Sequence, residues 1–62
     1  MIMEQKEMVK IARRAIEKGW DFETLKYGDD MYGKESIAEY VWGYVEECKR
    51  IGTAAFDAKY AV

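Results

Sequence analysis

Apolar residues recur at helical spacing along most of the chain, and the clearest run lies between Ser36 and Ile51. Ile37, Val41, Tyr44, Cys48 and Ile51 follow one another at steps of four and three, which places them on one side of a helix. Ala38, Trp42 and Val45 form a second stripe beside that seam and widen the apolar arc to roughly 200°. One neighbouring helix cannot cover so broad an arc. At the start of the run, Ser36 and Glu39 have the spacing of a capping box, in which hydroxyl and carboxylate each satisfy a free backbone N–H.

An earlier helix, A, is predicted from about Glu4 to Lys18, with Met1, Ile2, Met8, Val9, Ala12, Ala15 and Ile16 on one broad face. Its opposite face carries Lys6, Lys10, Arg13, Arg14 and Glu17, including an Arg13 to Glu17 pair at i,i+4 spacing. Gly19 is placed to end the helix in a left-handed conformation, with Trp20 folding back on the last turn. Asp21 then caps a short helix B over Phe22 to Tyr27, which Gly28 ends as Gly19 ended helix A. Trp20, Phe22 and Leu25 are expected to cover the second stripe of the long helix C. Residues 29–35 form a loop pinned by Met31 and Tyr32. Beyond Ile51, a break at Gly52 is favoured over a continuous helix, with a short helix D from Ala54 to Tyr60 anchored by Phe56 and Tyr60.

These elements give an all-α fold of three to four short helices in a single domain spanning residues 1–62. Helices A and C are expected to pack antiparallel, with B in the corner and oligomerisation through the long helix. No strand pattern, repeat or low-complexity tract interrupts them.

Size sharpens the need for a partner. A chain of 62 residues buries only about 60% of the surface its unfolded form exposes. Small folds offset that deficit with disulfides, metals or oligomerisation. With one cysteine and no histidine, only the last route is open, and Cys48 reads as a small core residue. The start of the chain lacks the apolar run of a secretion signal, and no segment approaches the ~20 apolar residues that span a bilayer. A cytoplasmic protein with no membrane role is expected, in keeping with an unpaired thiol.

Net charge is −2, but residues 1–18 hold five basic and three acidic groups while the remainder holds five basic and nine acidic. The split can orient two copies or mark a partner's face. Lys6, Lys10, Arg13 and Arg14 lie along one side of helix A and are candidate phosphate contacts, although domains that live on DNA are usually far more basic. Asp29, Asp30 and Glu35 are oxygen-rich but lack the alternation and spacing of a calcium loop. Glu39 and Glu46, with Arg50 four residues further on, read as charge pairing in water rather than an acid–base pair. No catalytic, metal or cofactor site is expected.

Five tyrosines, two tryptophans and two phenylalanines exceed what so small a core needs, and such residues dominate protein contacts. Tyr40, Trp42, Val45, Phe56 and Tyr60 are the candidate interface. The expected function is a small intracellular, non-enzymatic interaction module acting as a homo-oligomer: a regulator, an antitoxin-like protein or a mobile-element accessory protein. The alternative is a nucleic-acid-binding transcriptional regulator using the basic face of helix A.

Overall fold

A computed structural model describes residues 3–61, so the expected helical positions of Met1 and Ile2 lie outside the described residues. Helix α1 spans Gln5–Lys18, α2 Phe22–Lys26, α3 Ala38–Ile51 and α4 Thr53–Tyr60, with single 3-10 turns at Asp29–Met31 and Glu35–Ile37. No strand occurs among the described residues, and the fold is all-α.

The helix ends follow local chemistry. Gly19 adopts φ 68°, and Trp20 N–H donates to the Ala15 carbonyl at 3.0 Å, which closes α1 as the glycine predicted. Asp21 Oδ1 accepts from Thr24 N–H at 2.8 Å and caps α2; that hydrogen bond holds the Asp21 carboxyl below the usual carboxylate range. Gly28 plays a different part from Gly19. Its φ is an ordinary −77°, but a Cβ there would stand 2.9 Å from the Thr24 carbonyl oxygen, so the missing side chain permits a close approach.

The capping box does not form. Helix α3 begins two residues later than Ser36, after a 3-10 turn in which Ile37 N–H donates to the Lys34 carbonyl at 3.1 Å. Glu35 Oε2 meanwhile accepts from Gly33 N–H at 3.0 Å. The tightened entrance places Ser36 inside a turn, and no side-chain hydrogen bond caps the start of α3.

Helices α1 and α3 run in the same sense, not antiparallel as expected. Met3 and Met8 share a groove with Ile37 and Tyr40, while further along both helices Arg13 lies in the electrostatic neighbourhood of Cys48. The return path is made by α2 and the turns after it: Asp30 pairs with Arg14, and Lys34 sits beside Glu7 and Lys10, nearer the start of α1. That descending segment brings the chain back to where α1 began. A direct hairpin would have made the pair antiparallel; a long return does not.

Ala38, Val41, Val45 and Cys48 form the buried line of α3, midway between the two stripes read from the sequence. Ile37, Trp42, Tyr44 and Ile51 flank it, half-buried. Leu25 is fully buried, and Phe22 meets Trp42 edge to face at 5.8 Å, so α2 and Trp20 cover this side of α3 as expected. Met31 anchors the intervening loop from the core, whereas Tyr32, one position on, is 85% exposed and pins nothing.

Gly52, at φ 93° and ψ 152°, breaks the helix and turns α4 back along α3. That backbone conformation is almost confined to glycine. Phe56 drops into a second cluster with Val9 and Cys48, and Tyr60 reaches back to Tyr44. Ile16 and Tyr44 pack against both clusters and join them into one interior. Among the described residues, no buried side-chain nitrogen or oxygen lacks a hydrogen-bond partner.

Candidate interaction surface

The five candidate interface residues separate once folded. Val45 and Phe56 are fully buried in the chain's own interior, which corrects their assignment to an interface. Both face inward because the buried line of α3 is centred between its two apolar stripes, and the break at Gly52 folds Phe56 beneath α4. Trp42 is half-buried against Phe22, and Lys49 Nζ stands 5.2 Å from its ring centre. Tyr60 is half-buried and donates its hydroxyl to Glu47 Oε1 at 2.6 Å. Tyr40 alone of the five is largely bare, at 70% exposure.

Beside Tyr40 lies an apolar depression, a groove of about 330 Å³ walled by Met3, Met8, Ile37 and the tyrosine itself. A second hollow, formed by Met8, Tyr40, Gly43, Tyr44 and Glu47, adjoins it across the Met8 and Tyr40 side chains. Together they run along the furrow between α1 and the exposed side of α3. Gln5 Nε2 donates to the Tyr44 hydroxyl at 3.1 Å and fixes the furrow's tyrosine. Three methionine and tyrosine walls with a pliable thioether give a surface that can adapt to an apolar insert.

Met3 and Gly43 were not singled out by the sequence pattern. Met3 precedes the helix, so helical periodicity does not place it. Gly43 sits in the middle of a helix with no turn signal beside it, and only its exposure reveals it.

Compared with protein-family models, curated proteins and solved structures, the chain finds no match. The surface has to be understood from its own chemistry.

The basic face of α1 is largely committed internally. Arg13 forks onto Asp57 of α4, with Nε 2.6 Å from Oδ1, and lies 3.7 Å from Glu17. The Asp57 hydrogen bond raises the guanidinium pKa further. Arg14 holds both oxygens of Asp30 at 3.0 Å. Among the described residues, Lys6 and Lys10 make no ion pair, so two of the four candidate phosphate contacts retain an uncommitted charge.

The shifted carboxylates and thiol all have structural settings. Glu47 braces α4, accepting from Lys59 Nζ and from Tyr60; the lysine contact is the main reason its carboxyl sits below the ordinary range. The same network raises Lys59 and Tyr60. Burial pushes the Cys48 thiol up, away from the thiolate form that nucleophilic chemistry requires. Asp30 is bound to Arg14 and Glu35 to the Gly33 amide, which separates the acidic groups around residues 29–35. No helix among the described residues is long and apolar enough to cross a membrane.

Proposed function

We propose that this chain is a small non-catalytic interaction module that self-associates through the exposed side of α3 and the furrow beside it. The reading rests on one observation above all: Tyr40 stands 70% exposed at the lip of a groove whose other walls are Met3, Met8 and Ile37. Covering such a side chain contributes roughly 1.5–3 kcal/mol, a substantial gain for a domain whose whole stability is small.

A nucleic-acid role through α1 is the weaker reading, because Arg13 and Arg14 already answer to Asp57 and Asp30. Binding a phosphate backbone there would compete with both pairs.

Sedimentation across a concentration series tests the proposal. The wild-type chain should sediment as an oligomer at micromolar concentration and Tyr40→Ala as a folded 7.3 kDa monomer. A wild-type monomer throughout the series overturns it.

A further inference from the structure

A single residue, Gly52, joins the last two helices. Ile51 and Thr53 on either side of it are already helical, so the direction of α4 hangs on the two dihedrals of this glycine, φ 93° and ψ 152°. A Cβ there would meet no atom within 4 Å; what demands glycine is the backbone conformation and not a close approach. The bend also costs helical hydrogen bonds. Gly52 N–H donates to the Cys48 carbonyl at 2.9 Å and its own carbonyl accepts from Phe56 N–H at 3.0 Å, but no side chain caps the first turn of α4 between them. Helical φ and ψ at Gly52 alone would complete the ladder and give one straight helix from Ala38 to Tyr60.

The sequence suits that straight helix as well. Phe56 follows Ala38 by five whole turns at about 3.6 residues each, so it falls in line with the buried row of Ala38, Val41, Val45 and Cys48. Straightened, it stands about 12 Å along the axis from Cys48 and cannot enter the pocket of its own chain. The pocket of a second copy is identical. Contacts across the bend are spaced evenly about Gly52: Phe56, four residues after it, clusters with Cys48, four before, and Tyr60, eight after, stacks on Tyr44, eight before. Two straight helices laid antiparallel, with their Gly52 residues facing each other, re-create these pairs between chains. Arg13 then receives Asp57, and Glu47 receives Lys59 and Tyr60, from the other copy.

We infer that α4 is an exchangeable element: Gly52 closes it on its own chain, and straightening at Gly52 hands it to a second copy, giving a two-fold dimer in which each interior is completed by the other chain's Phe56. With glycine at the hinge, closure is intramolecular and prevails in dilute solution; concentration, or a residue that resists the bend, transfers α4 to the neighbour. This exchange neither uses nor requires Tyr40.

The test uses full-length chains that all carry Tyr40→Ala, so that association through the furrow does not contribute, with sedimentation and circular dichroism as readouts. Adding Gly52→Ala should tighten dimerisation about tenfold or more, because alanine is strained at the closed φ of 93° but favoured within a helix. A folded Gly52→Ala chain that stays monomeric over the same concentrations overturns the inference. A second experiment leaves the hinge intact. Arg13→Asp and Asp57→Arg each set like charges against one another in a closed chain. Refolded together, the two should form a heterodimer that melts above either alone, since each α4 then meets an opposite charge on the other copy; dimers whose chains keep their own α4 give no such rescue. A mixture no more associated and no more heat-resistant than its components shows that α4 is not exchanged.

Discussion

The two ends of the α1–α3 furrow treat their aromatic residues in opposite ways. Toward the α4 end, Phe56 is buried against Val9 and Cys48, and Tyr60 is tied to Glu47 and stacked edge to face on Tyr44 at 5.5 Å. Toward the other end, Tyr40 stands over Met3, Met8 and Ile37, and none of the described elements covers it. The difference comes from Gly52, which doubles the chain back over one end of α3 and lays α4 there rather than over the other. An aromatic excess is thus partly consumed within the chain and partly left on its surface.

The contrast predicts unequal responses to truncation. Phe56→Ala should cost about 3–5 kcal/mol and leave little folded protein, as chemical denaturation followed by circular dichroism will read. Tyr40→Ala should leave unfolding of the dilute monomer within about 0.5 kcal/mol of wild type while removing self-association. Comparable losses of stability at the two sites would abolish the distinction between a covered and an uncovered end.

Glycines offer a finer probe. Gly28→Ala should destabilise by about 1–3 kcal/mol, because the new methyl meets the Thr24 carbonyl. Gly43→Ala should instead stabilise the dilute monomer by about 0.5–1 kcal/mol. Thermal melts at low concentration compare them directly.

Acid should act more gently, loosening the covered end through Glu47 and the start of α2 through Asp21. Glu47 has its folded pKa depressed below the ordinary 4.5, so its contribution is complete above that value and lost as the pH falls through the folded pKa. Lys59 and Tyr60, both raised, make contributions that are complete below about pH 10 and lost as the pH climbs through their folded values. Hydrogen exchange of α4 should accelerate at both extremes, and Glu47→Gln should flatten the acid limb.

Much of this architecture was legible from local chemistry. Gly19, Asp21 and Gly52 each announced a helix boundary because the conformation or cap they supply is rare elsewhere. Trp20, Phe22 and Leu25 could be assigned to α3 from short spacing alone. Long-range geometry was not legible in the same way. Helical periodicity defines an apolar arc but not which line within it goes deepest, so Val45 looked like margin and proved to be centre. It carries no information on direction either, and the parallel run of α1 and α3 depends on a return path made of short turns. Ser36 failed as a cap because Glu35 and Lys34 had tightened the backbone before it. Arg13 similarly finds its main partner 44 residues away, where i,i+4 spacing pointed only to Glu17.

The single thiol gives the molecule its own internal clock. Cys48 is 2% exposed beneath Phe56, in the cluster that α4 closes over. An alkylating reagent therefore marks only those molecules whose final helix has lifted, and the pace of labelling counts how often the lid of this small interior comes open.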